Sequence, residues 1–266
     1  MDNLKKHGDP PFAVVVVHGG PGAPGEVTAV AHELSSTAGV LEPLQTTATI
    51  DGQVEELQAI IEANASPPLT LIGFSWGAWL SCILASYHPE LVKKLILVSS
   101  GPIDEKYASS IMETRLRRLH GADKKEAAFL YQTLHIAALS CSNYYDSLSR
   151  FGELISKADS FDLLPDEGEK IQLNIDAYRT VWDEARKLRS SGRLVEIVRR
   201  IKCPVVAIHG DYDPHPADGI KYSFSQAIKD FRFFLLQKCG HYPWRERNAR
   251  NLFYRILKAE TWPMNL

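Results

Sequence analysis

A serine flanked by two glycines is the residue in this chain best suited to chemistry. Residues 73–77 read Gly-Phe-Ser-Trp-Gly, a Gly-x-Ser-x-Gly pattern centred on Ser75. A strand-to-helix turn of this kind lifts a hydroxyl above a sheet edge, ready to attack a carbonyl. The pentapeptide alone is weak evidence, because a glycine-rich turn carrying a surface serine also matches it. A neutral hydroxyl is a poor nucleophile, so a base must take its proton and a third group must orient the base. In this geometry the chain order is serine, then Asp or Glu, then histidine. Asp213 stands 138 positions after Ser75, and His241 stands 28 positions after Asp213. Asp211 is the competing acid and His215 the competing base. His18 and His209 each precede a glycine at a strand end, where they are expected to orient loops.

Attack on a carbonyl creates a negative oxygen that needs hydrogen-bond donors. Losing one such donor typically costs about 3–4 kcal/mol. The backbone N–H of Trp76, the residue after the serine, supplies one. The other is expected from the loop His18-Gly19-Gly20-Pro21-Gly22, with Gly20 as donor. His18, Gly19, Pro21 and Gly22, together with Phe74, are expected to line the substrate pocket. A phosphate-binding loop is the rival reading of this segment. It lacks the P-loop lysine and does not fit Gly-x-Gly-x-x-Gly.

These residues need a scaffold, and the hydrophobic pattern supplies one. Residues 13–17 (Ala-Val-Val-Val-Val), 69–72, 95–98, 204–208 and 231–236 read as apolar strands, with a weaker strand at 40–45. Continuous apolar runs suit strands buried on both faces. Helices are expected at about 24–35, from Asp51 as cap to 64, at 78–87, and at 244–257. The alternation predicts an α/β fold, a mostly parallel sheet of about six strands with helices on both faces. Ser75, Asp213 and His241 then fall in loops after three different strands, on one edge of one sheet. Between 101 and 200 no apolar strand is evident. That stretch predicts helices near 105–119, 124–139 and 171–188, forming a helical cap over a pocket. The expected division is a core of 1–100 and 201–266 with a cap of 101–200. Most of the cap's aromatics, from Tyr107 to Trp182, are expected to form its own packing core.

Composition narrows the function classes. Hydrophobic residues make up 45% and charged residues 23%, ordinary for a globular protein. A formal net charge of −2 gives no bulk attraction to nucleic acid or an acidic membrane. Cys82, Cys141, Cys203 and Cys239 form no Cys-x-x-Cys pair, and reduced thiols in a cytoplasmic protein are expected. The first residues lack the apolar core of a signal peptide, and no apolar run reaches the roughly 18 residues of a membrane span.

The loop His18-Gly19-Gly20-Pro21-Gly22, with Ser75-Trp76-Gly77 and Cys239-Gly240-His241, resembles the α/β-hydrolase fold and, within it, the proline iminopeptidases. Those enzymes remove an N-terminal residue from short peptides. The resemblance implies Ser75 as nucleophile, Asp213 as acid, His241 as base, and Gly20 and Trp76 as oxyanion donors. It implies a helical cap between the sixth and seventh strands of the full fold, and neither a metal nor an organic cofactor. The sequence departs from the family in three places. Only about a dozen residues precede Ala13, so the family's N-terminal strand hairpin is expected to be missing. Residues 45–48 read Gln-Thr-Thr-Ala where the family carries Asp-Gln-Arg-Gly. Phe74 stands where glycine is usual. The substrate is therefore expected to be a short peptide or another small molecule. Aminopeptidase and carboxylesterase chemistry compete, and a non-catalytic binding member of the fold is a third class.

Overall fold

A computed structural model describes residues 3–135, 141–165 and 174–262. In chain order the first half holds β1 (Leu4–His7), β2 (Phe12–Val17), α1 (Thr28–Ser35), β3 (Gly39–Pro43), α2 (Ile50–Asn64), β4 (Leu69–Phe74), α3 (Trp76–Tyr87) and β5 (Val92–Val98). A helical segment follows: a 3₁₀ turn at Glu105–Tyr107, then α4 (Ile111–Arg118), α5 (Gly121–His135), α6 (Cys141–Ala158), α7 (Ile175–Ser190) and α8 (Arg193–Val198). The chain ends with β6 (Val205–Gly210), α9 (Ala217–Ala227), β7 (Phe231–Leu236) and α10 (Arg250–Thr261).

Among the described residues the sheet has seven strands, in the order β1-β3-β2-β4-β5-β6-β7. All neighbours run parallel except β1, which pairs antiparallel with β3. This strand adds one to the expected six, and a single strand stands where no N-terminal strand was expected. Leu-Lys-Lys-His has no apolar run because an edge strand of this kind needs only backbone pairing on one side.

Alternate residues of the parallel strands feed two cores, as the period of two requires. Val15, Val17, Leu71, Leu97 and Ala207 join one cluster with Leu57 of α2, Leu80 of α3 and Phe224 of α9. Val14, Val16, Ile72, Ile96 and Val206 join the other, with Leu34 of α1 and Phe253 of α10. Burial on both faces explains why the strands read as unbroken apolar runs. A third, smaller cluster lies within the helical segment and includes Leu119, Leu130 and Leu154.

Several boundaries differ from expectation, each for a local reason. Thr49, not Asp51, caps α2: its side chain accepts the Gly52 N–H at 3.1 Å. The stretch 105–119 divides into the 3₁₀ turn and α4. The last helix begins at Arg250, because residues before it bond instead to the helical segment; the Leu164 N–H reaches the Arg245 carbonyl at 2.8 Å. The ends of two expected helices, at 136–139 and 171–173, lie outside the described residues. The aromatics of the helical segment are not mainly its core. Phe129 is 65% exposed and Phe161 46%, while Trp182 packs against the main core instead. No helix among the described residues is long and apolar enough to cross a membrane.

Candidate active site

Ser75 lies between β4 and α3 with φ 51° and ψ −113°. A non-glycine residue with positive φ costs of order 1–3 kcal/mol and persists only where the surroundings enforce it. Here the Ser75 N–H donates to the Val98 carbonyl of β5 at 3.0 Å. A Cβ on Gly73 would run into the Gly77 carbonyl, and one on Gly77 into the His18 carbonyl. Glycine at both positions therefore lets β4, α3 and the end of β2 meet beneath the serine.

The sheet brings three loops together above that turn. His241 Nε2 lies 3.1 Å from Ser75 Oγ. Its Nδ1 lies 2.7 Å from Asp213 Oδ2. This arrangement suits an imidazole that donates from Nδ1–H and accepts at Nε2. Asp213 and His241 are buried, and Ser75 is half-buried. Burial opposes charge on Asp213, yet the facing imidazoles of His241, His209 and His215 hold its carboxyl well below the usual range. Burial also opposes charge on His241, and the Asp213 carboxylate overcomes it, raising the imidazole above its ordinary value.

The two rival residues have other partners. Asp211 Oδ1 accepts the Cys239 N–H at 3.1 Å and so tethers the histidine loop to the acid loop. His215 Nδ1 lies 2.7 Å from Asp213 Oδ1, which leaves Ser75 to His241. His209 Nε2 lies 2.8 Å from the His215 carbonyl, in keeping with a loop-orienting role.

The glycine-rich loop after β2 lies beside this cluster. His18 is buried, and its Nδ1 sits 2.7 Å from the Gly19 carbonyl. Burial pushes its imidazole down to about 4, which keeps it neutral. The Ala23 N–H donates to the Gly20 carbonyl at 2.8 Å and closes the turn around Pro21. The Asn174 N–H, at the start of α7, donates to the Gly22 carbonyl at 2.8 Å and pins the loop to the helical segment. Trp76 opens α3, where the first backbone N–H groups have no partner within the helix. Its indole donates to Gln53 at 2.9 Å. The Phe74 ring packs 5.0 Å from His241 and edge-on to Trp244 at 4.6 Å.

Sequence reasoning missed four residues of this neighbourhood. The Asp159 carbonyl accepts the His241 N–H at 2.8 Å, so the end of α6 carries the histidine. The Asp159 carboxylate takes a bidentate pair from Arg115 at 2.8 and 2.6 Å. Glu246 is buried and accepts N–H groups from Phe161, Asp162 and Gly240, at 2.8, 2.8 and 2.9 Å. Backbone atoms carry no residue signal, and Glu246 sat inside a stretch that read as helix. The fourth residue, Glu26, is half-buried, but its Oε2 is sealed from solvent with no hydrogen-bond partner among the described residues.

Burial pushes the Glu26 carboxyl up to about 7, against the pull of His241, the nearby Gly19 backbone and Arg245. Its ordinary value is 4.5. Between the two the folded chain holds a proton that the unfolded chain has released. Stability therefore falls as pH rises from about 4.5 to about 7. Glu26→Gln is expected to flatten that fall. Its stability relative to wild type should improve by about 2 kcal/mol between pH 4.5 and pH 8, part of the shift being discounted for the residue's partial exposure. Denaturant midpoints across pH check this; parallel curves for the two proteins would count against it.

Donor atoms of Asp213, His215 and His241 lie within 4.8 Å of one another, close enough to share a metal ion. The short contacts of Asp213 with both rings instead describe a hydrogen-bonded cluster.

A family model described as alpha/beta hydrolase fold matches residues 31–244. No curated protein matches the sequence. Several solved structures share the fold at low identity. VinJ is 15% identical with a TM-score of 0.69, covering 96% of this chain and 92% of that one. A proline iminopeptidase from Mycobacterium smegmatis is 16% identical with a TM-score of 0.60, over 96% and 92% of the two chains. A monoacylglycerol lipase from Paleococcus ferrophilus is 18% identical with a TM-score of 0.60, over 96% of each.

Proposed function

The chain belongs to the alpha/beta hydrolase fold family, and on that premise we propose that it is a serine hydrolase cleaving an ester or amide bond through an acyl-enzyme. The observation that carries this is the unbroken hydrogen-bonded run from Ser75 through His241 to Asp213. His241 takes the Ser75 proton as the hydroxyl attacks the carbonyl carbon. Asp213 holds the ring in the required tautomer and stabilises the imidazolium that forms. The backbone N–H groups of Gly20 and Trp76 receive the developing oxyanion. The imidazolium then protonates the leaving alcohol or amine. Water repeats the sequence with His241 as base, releasing the acid and restoring Ser75.

The finer reading is aminopeptidase action on short peptides, supported by the His-Gly-Gly-Pro-Gly loop and by likeness to a proline iminopeptidase. A specific observation favours the competing carboxylesterase reading. Asp159, which the helical segment brings near His241, is already paired with Arg115 and so offers a substrate ammonium no free charge. Likeness to a monoacylglycerol lipase agrees with that reading. Parallel assays of amino-acyl amides, proline amides among them, and of acyl esters of graded length decide between the two. Turnover of amides with a free amine, lost on N-acetylation, supports the peptidase; turnover of esters alone supports the esterase. Failure of the folded wild type to react with a fluorophosphonate would overturn both.

A further inference from the structure

Asp213 is shared by two imidazoles, and the triad uses only one. His241 Nδ1 sits 2.7 Å from Oδ2, and His215 Nδ1 sits 2.7 Å from Oδ1. The His215 backbone N–H also donates to Oδ1, at 2.9 Å. The His215 carbonyl in turn contacts His209 Nε2 at 2.8 Å. The two imidazole rings that share the carboxylate lie 4.8 Å apart at 37°. The Asp213 side chain has no exposure to solvent, and that of His215 has 13%. A carboxylate gripped twice on one oxygen cannot swing the other away from His241.

We propose that His215 is a positioning residue of this site: a second imidazole that fixes the rotation of Asp213 and limits how strongly that carboxylate stabilises charge on His241. The inference rests on the triad reading of Ser75, His241 and Asp213.

The electrostatics of the cluster are consistent with that role. Burial pushes His215 down to about 4 despite the adjacent Asp213. It therefore stays neutral and contributes a donor rather than a charge. A hydrogen bond to a carboxylate draws off part of its negative charge, leaving less to stabilise a neighbouring imidazolium. Other charged and titratable groups face His241 from every side. Asp213 raises its proton affinity and so does Asp159, while Arg115 in the helical segment lowers it. Glu26 acts from the loop after β2, and Tyr242 packs 5.2 Å away on its own loop. His209 lies 3.8 Å behind Asp213, on the far end of β6. Among these, His215 is the side chain that meets the Asp213 oxygen not used by His241.

The test compares His215→Phe, which keeps a ring but no donor, with His215→Asn, whose side-chain amide can place a donor near the lost Nδ1. In His215→Phe the His241 pKa, read by NMR of histidine labelled in the ring nitrogens, is expected to rise by about one unit, a tenfold change in proton affinity. The acid limb of kcat/KM should move up by the same amount. The kcat plateau should fall about tenfold with KM unchanged. His215→Asn is expected to restore both. A merely structural histidine would lower the melting temperature and leave the His241 titration where it was; that result overturns the proposal, as does failure of Asn to rescue. The wild type supplies a check that needs no variant to fold. His215 must be the Nδ1–H tautomer, and finding Nε2–H overturns the proposal. Because the NMR titration needs no substrate, an inert wild type would defeat the hydrolase reading without deciding this one.

Discussion

Ser75→Ala is expected to abolish reaction with a fluorophosphonate and to reduce hydrolysis of any ester or amide substrate by roughly ten-thousand-fold to a million-fold. That is the scale seen when the nucleophile of a serine triad is removed. The substitution deletes one oxygen and leaves the backbone as it was, so the folded protein should survive. Stability gives a second readout. Ser75 holds φ at 51°, and alanine inherits that strain because it keeps a Cβ. Glycine does not, so Ser75→Gly should unfold later than Ser75→Ala by about 1 kcal/mol. Both variants should be equally inert. Labelling of Ser75→Ala at the wild-type rate would place the nucleophile elsewhere.

Asp213→Asn should preserve the shape of the site and lower kcat by about ten-thousand-fold. The asparagine amide can donate to Nδ1, which favours the tautomer with its proton on Nε2. That nitrogen then has no lone pair to receive the Ser75 proton. The pH profile carries the sign of the effect. Burial alone would lower the proton affinity of His241, and Asp213 reverses it, so the wild-type imidazole sits above its ordinary value. A general base must be neutral, and wild-type kcat/KM therefore falls as pH drops through that raised value. Without the carboxylate charge, burial dominates and the His241 value falls. The acid limb of the residual activity should move to lower pH while the plateau drops. An unmoved limb at full activity would show that Asp213 does not act on His241.

The legible part of this fold was its periodicity. Strands β2, β4, β5 and β6 are apolar at nearly every position that faces either core, the buried Thr70 and His209 excepted. β1 was invisible because an edge strand pairs through backbone atoms and needs no apolar run. The helical segment was legible only as helices. The exposure of Phe129 and the inward packing of Trp182 depend on which face meets the main core, and local spacing does not encode that choice.

The amino-acid sequence by itself determined the order and location of the candidate groups. A strand followed by Gly-x-Ser-x-Gly, and two later parallel strands whose following loops carry Asp213 and His241, put all three on one edge of the sheet. Tertiary structure alone decided what holds them. The Asp159 carbonyl supports His241 from 82 positions away in sequence (241 − 159), and Glu246 gathers N–H groups from residues as distant as Phe161. The partition of Asp213 between two histidines was equally hidden. Backbone carbonyls and amides are the same at every residue, and a carboxylate has two oxygens whose partners are chosen by orientation; both are matters of geometry that residue type does not record.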